Sequence, residues 1–158
     1  GKDCLLKISG FKYSCIGKEP IISEGTKNFR APEIKNKTCT NPMAADIYSA
    51  GIILFCFVFE MLPYDESGPI EGIDFYQLLL EGNELYWDGL EKLRDAPLDV
   101  DPAFKKLFMS MVKANPSKRA TIKSIKKSEW YNGEAYSPEQ VSFTVSHLIE
   151  KSRQKKKK

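Results

Sequence analysis

The chain has 158 residues, long enough for one domain with a hydrophobic core of its own. Hydrophobic residues make up 42% of it, which excludes a disordered chain. The formal net charge of +3 is uneven: Lys151 to Lys158 holds six positive charges and no acidic residue, so the rest of the chain is slightly acidic.

Gly1 to Ser9 lacks the succession of basic, apolar and small residues that marks a secretory signal. The missing start Met points to a piece of a longer protein. No two of Cys4, Cys15, Cys39 and Cys56 have CxxC spacing, and the single histidine, His147, stands far from all of them, which argues against zinc. Reduced thiols in an intracellular compartment, cytoplasmic or nuclear, are the simplest account.

Cys4 to Ile8 is a short apolar strand candidate that ends at Ser9-Gly10. Residues 11–40 turn polar and loop-like, a length that is usually functional or disordered. Residues 46–61, DIYSAGIILFCFVFEM, then carry an unbroken apolar stretch from Ala50 to Phe59, with only the thiol of Cys56 as a polar group. A stretch apolar on every face reads as the central buried helix of a globular domain. It falls short of the ~20 residues of a bilayer span, so no transmembrane segment is expected. A fully buried strand is the competing reading, disfavoured by length and by Gly51. Asp46 sits near the start, where a carboxylate suits free amides and the helix dipole.

Leu62-Pro63 ends that helix, and Phe75 to Leu80 reads as a short one stopped by Gly82-Asn83. Residues 84–100 give no clear pattern. Asp101-Pro102 caps and opens a helix with Phe104, Leu107, Phe108, Met111 and Val112 along one stripe, stopped by Asn115-Pro116. Thr121 caps another, carrying Ile122, Ile125 and, at its end, Trp130. Ser137-Pro138-Glu139-Gln140 is a capping box that opens a helix over residues 137–150, with Val141, Val145, Leu148 and Ile149 on one face. Residues 151–158 read as a solvated, disordered basic tail, or as a weak contact for nucleic acid or anionic lipid, or as a nuclear-targeting signal.

Three segments, in this order, resemble the C-terminal half of a Ser/Thr protein kinase domain. Gly25-Thr26-Lys27-Asn28-Phe29-Arg30-Ala31-Pro32-Glu33 is similar to the end of the kinase activation segment, with Ala31-Pro32-Glu33 as its A-P-E. Ala45-Asp46-Ile47-Tyr48-Ser49-Ala50-Gly51 is similar to the D-x-W-S-x-G that opens the family's central helix, with Tyr48 for Trp. Asn115-Pro116-Ser117-Lys118-Arg119-Ala120-Thr121 resembles D-P-x-x-R-x-T. The style is nearest the calcium/calmodulin-dependent group.

The resemblance implies a mainly α fold: a kinase-like C-lobe with helices around one central helix and little strand at the N-terminus. It assigns residues 1–136 to that lobe, with an activation segment at 9–33, then the helix 137–150 and the tail 151–158. It also implies a buried ion pair between Glu33 and Arg119, a place for Thr26 near the family's catalytic aspartate, and a contact of Asp46 with the catalytic loop. Ser23 is a candidate activation-loop phosphosite, or an ordinary loop serine.

The family uses ATP and Mg²⁺, held by a Gly-rich loop, a strand Lys, a catalytic-loop Asp and Asn, and a D-F-G Asp. The first four fall upstream of Gly1 in family order. Gly10 stands where the D-F-G aspartate belongs, followed by Phe11 and Lys12, and glycine offers no ligand to Mg²⁺. No catalytic, cofactor-binding or metal-binding residue and no cofactor is therefore expected for this chain, and an exposed apolar patch is expected where the nucleotide lobe would sit. Three functions follow: a non-catalytic module binding a protein partner along a groove near 25–33, 75–80 and 102–112; a piece of a longer kinase that phosphorylates proteins with ATP, its N-terminal lobe lying elsewhere; or, if the likeness misleads, a helical adapter with a basic tail.

Overall fold

Residues 7–9, 11–14, 25–65, 68–94 and 98–155 are described by the computed structural model, and within them the backbone is helical, with a lone β-bridge between Ile70 and Ile73. Seven α-helices follow one another: α1 Pro32–Lys35, α2 Pro42–Phe59, α3 Phe75–Glu81, α4 Leu85–Arg94, α5 Pro102–Met111, α6 Ile122–Ile125 and α7 Pro138–Lys155. The expected N-terminal strand does not form at Lys7 to Ser9, and Cys4 to Leu6 lie outside the described residues. The chain divides into two compact units, Tyr13–Asn132, which holds α1 to α6, and Gly1–Lys12 with Gly133–Lys158, which holds α7.

Helix α2 begins earlier than the sequence reading placed it. Asn41 is its cap, accepting a hydrogen bond from the Ala44 amide at 3.2 Å, and Pro42 takes the first helical position. Asp46 therefore sits in the second turn and caps nothing. The helix ends at Phe59, where Glu60 turns left-handed at φ 56° and its amide reaches the Cys56 carbonyl. By length and composition these 18 residues are apolar enough to cross a membrane, contrary to the expectation that they are too few. Their packing shows a core helix instead: Tyr48, Ile52 and Phe55 are completely buried.

Burial is one-sided, which corrects the picture of a helix buried all round. Met43, Asp46, Ala50, Ile53 and Phe57 follow a spacing of three and four, so they share one face, and all are exposed. Phe57 is 78% exposed. Apart from Asp46, this is an exposed apolar stripe.

The buried side of α2 lies against α5. A Cβ on Gly51 would stand 2.9 Å from Val112 Cγ1 and 3.1 Å from Met111 Cβ, so the two helices meet at this glycine. Aromatic rings fill the space around the contact. Phe55 and Phe108 lie 5.0 Å apart, Phe104 stacks parallel to Phe108 at 6.1 Å, and Trp130 meets Phe104 edge-on at 5.6 Å.

Local capping sets the other boundaries. Asp74 and Asp101 accept from Gln77 and Ala103 amides at 2.9 and 2.8 Å, and Gly82 closes α3 at φ 69°. Residues 85–94, unreadable from the sequence, form α4. Helix α6 is shorter than its pattern implied: the Thr121–Ser124 capping box opens it, but it stops at Ile125, and Trp130 belongs to a separate 3-10 turn. Helix α7 opens on its expected box, Ser137 donating its amide to Gln140 Oε1 at 2.8 Å, and runs past residue 150 through Lys155. Lys151 and Arg153 in its last turns suit the negative end of the helix dipole.

Candidate functional site

Segment 25–33 lies in the larger unit and is held at four points. At its start Gly25 adopts φ 94°, a left-handed conformation natural to glycine, and its carbonyl accepts from Arg30 Nε at 2.7 Å and from Arg30 Nη2. Ser49 Oγ, one turn beyond Asp46 on α2, donates to the Phe29 carbonyl at 2.7 Å. Tyr64 donates to the Asn28 carbonyl at 2.9 Å. Each is a backbone carbonyl satisfied by a side chain, two of them from outside the segment, and they flank a single 3-10 turn at Lys27–Phe29.

The fourth point is Glu33. Ala31-Pro32 leads into α1, which carries Glu33 inward against Arg119, 86 positions away. Arg119 Nη1 lies 2.5 Å from Glu33 Oε1, and Nη2 lies 2.7 Å from Oε2, a two-pronged pair with both side chains buried. The guanidinium also donates to the Lys113, Ala44 and Ala114 carbonyls at 2.7, 2.9 and 3.2 Å. One side chain thus joins α1, the start of α2 and the end of α5. Its fork of donors is why arginine, and not lysine, suits the position.

Tyr48, where the family pattern has Trp, lies under that guanidinium at 5.1 Å and is fully buried. Its hydroxyl meets Tyr64 Oη at 3.3 Å, so the phenol has a partner inside the core. Burial pushes its pKa far above that of a free tyrosine, with the nearby Tyr64 adding to the effect. Tyr48 stays neutral.

Thr26, Ala31 and Asp46 come together on the wall of one cleft of about 190 Å³, completed by Tyr13, Phe29 and Ser49. Asp46 also edges a second, more apolar groove of about 500 Å³ with Met43, Ile47, Pro116 and Ile122. Asp46 is exposed, yet the protein on either side removes enough water to push its carboxyl above the usual aspartate value. Lys35, just after Glu33, reaches over the Tyr76 ring at 4.1 Å, which puts segment 25–35 beside α3. A cavity of about 590 Å³ lies between α5 and residues 118–129.

Gly10 and Ser23 lie outside the described residues. Among the described residues, no three His, Cys, Asp or Glu side chains converge as a metal site. The sequence reading missed Asn41 and the two loop anchors. Asn41-Pro42 carries the same cap-then-proline signal as Asp101-Pro102 and was readable. Ser49 and Tyr64 bind carbonyls far off in the chain, and no local pattern announces that.

The protein kinase domain family matches residues 2–131. CBL-interacting protein kinase 1 of Oryza sativa subsp. japonica is 27% identical over 139 residues, covering 84% of this chain and 27% of its own. Two proteins of Arabidopsis thaliana are similar as well. CBL-interacting serine/threonine-protein kinase 8 is 30% identical over 134 residues, and CBL-interacting serine/threonine-protein kinase 24 is 31% identical over 134 residues. Each of these two alignments covers 80% of this chain and 26% of the relative. The chain thus spans about a quarter of the length of these relatives. The reading in which the likeness misleads is overturned by these matches. With residues 2–131 matched and Glu33 paired to Arg119 across a helical core, this chain belongs to the protein kinase domain family.

Proposed function

We propose that this chain is a non-catalytic member of the family that binds a protein partner or substrate along residues 25–33 and the neighbouring helices. The observation that carries this reading is the anchored loop: four side-chain contacts from Arg30, Ser49, Tyr64 and Arg119 hold it in place. A loop kept rigid at that cost in entropy is suited to presenting a docking edge. Phosphoryl transfer is positioning and charge neutralisation, and it needs a metal ligand where this chain has Gly10. Whatever precedes Gly1, that substitution weakens a magnesium site. The reduced-thiol reading places the protein in the cytoplasm or nucleus.

Thermal unfolding with and without Mg-ATP, together with anisotropy titration of a labelled serine-containing peptide, tests this. We expect no nucleotide-dependent shift, and peptide binding that weakens in Ser49→Ala/Tyr64→Phe. Nucleotide at ~100 times its dissociation constant adds about 2.7 kcal/mol to a protein that binds it. A magnesium-dependent rise of that size overturns the non-catalytic reading, and unaltered peptide binding in the double variant overturns the docking edge.

A second reading, a piece of a longer Ser/Thr protein kinase that phosphorylates proteins with ATP, is favoured by the exposed stripe of Met43, Ala50, Ile53 and Phe57 on α2. Such a face in a core helix is what remains when a packing neighbour is elsewhere. The coverage of only a quarter of the relatives points the same way. An immunoblot of the native protein far above 17.9 kDa supports it, and a band at that mass counts against it.

A further inference from the structure

We propose that α7 forms an anchor that lies flat on an anionic lipid bilayer. The inference concerns the unit that holds α7 and does not depend on the docking edge in the other unit. At 3.6 residues per turn, Val141, Val145, Leu148 and Ile149 fall within an arc of about 100°. Leu148 and Ile149 are exposed at 58% and 43%, while Val141 and Val145 nearer the start are half-buried, so the exposed part of the stripe is its C-terminal end. Ser137 and Gln140 cap this helix locally.

Charge completes the argument. Lys151 and Arg153 fall on opposite borders of the apolar stripe, and the sequence continues with Lys155 to Lys158. Within α7 the acids are Glu139 and Glu150. A narrow apolar stripe edged on both sides by long cationic side chains matches a planar interface, where the stripe sinks in and the charges reach the headgroups. Nucleic acid would use the charges and leave Leu148 and Ile149 in water. A grooved protein partner would wrap more of the helix than this arc, and the one aromatic of α7, Phe143, points away from the stripe. Clustered lysines beside an amphipathic helix are attracted to acidic lipid.

The test is co-sedimentation of the whole chain with vesicles of phosphatidylcholine alone and of phosphatidylcholine with phosphatidylserine, at low and near-physiological salt. We expect at least ~10-fold stronger partition onto the acidic vesicles, weakened by salt. Leu148→Asp/Ile149→Asp is expected to lower that partition by ~10-fold or more, because it places charge in the stripe. The melting temperature should not move, because both positions are exposed. Lys151→Gln/Arg153→Gln should reduce the acidic-lipid preference. Equal partition onto both vesicles overturns the proposal. So does full retention by Leu148→Asp/Ile149→Asp, or tighter binding to duplex RNA or calcium-loaded calmodulin than to acidic vesicles.

Discussion

Glu33 and Arg119 meet side by side in the interior, 2.5 and 2.7 Å apart at the two ends of a forked pair. Removing one partner strands a buried charge, and such losses cost about 3–5 kcal/mol. Arg119→Ala is expected to lose that much in urea unfolding, while deletion of residues 151–158 leaves the midpoint unchanged. In a double-mutant cycle, Glu33→Gln combined with Arg119→Met should lose less than the sum of the single losses. Additive losses would show that the two side chains do not act as a pair.

Gly51 is the point of closest approach between α2 and α5. Adding a methyl there pushes on Val112 Cγ1 at 2.9 Å and Met111 Cβ at 3.1 Å. Gly51→Ala should cost about 1–3 kcal/mol by overpacking, even though alanine is the better helix former. A rise in melting temperature would mean that the contact relaxes freely.

Ser49 and Tyr64 hold the carbonyls of Phe29 and Asn28. Ser49→Ala and Tyr64→Phe should each cost about 1 kcal/mol, and more where the freed carbonyl stays buried. The effect should be local. Amides of residues 26–30 are expected to exchange faster, and α5 amides to speed up by no more than the loss in global stability.

Asp46 has a carboxyl pKa raised above 3.8 by the loss of water around it. The folded chain therefore holds this proton more tightly than the unfolded one, so the contribution of Asp46 to stability falls as pH rises from 3.8 through the folded value. Asp46→Asn should raise the melting temperature slightly at neutral pH. The gain should vanish below the unfolded value, where both proteins are uncharged at this position. A variant less stable at neutral pH would show that the carboxylate makes a favourable contact.

Much of the helical body was legible in the chain because caps are local. Asp101-Pro102, Gly82 and the Ser137–Gln140 box each act through neighbours within a few positions, and each formed as read. The Glu33–Arg119 pair was legible only through the family pattern, since nothing near either residue points to the other. The faces of α2 were not legible. Ala50 to Phe59 is uniformly apolar, and such a stretch does not say which side will be covered. That depends on the neighbours present, and α5 covers one side only. The meeting of Thr26, Ala31 and Asp46 at one cleft follows from the fold of residues 25–49, which no periodicity encodes.

The clasp between α1 and the turn after α5 also has a kinetic side. A contact closed across 86 positions gains nothing until the helices between its ends have assembled. The loop it secures should therefore lock late, after the α2–α5 packing is in place. Changes to the clasp should then speed the escape from the native state more than they slow the approach to it. The lifetime of the anchored loop, as distinct from its population at equilibrium, would be set by a single guanidinium.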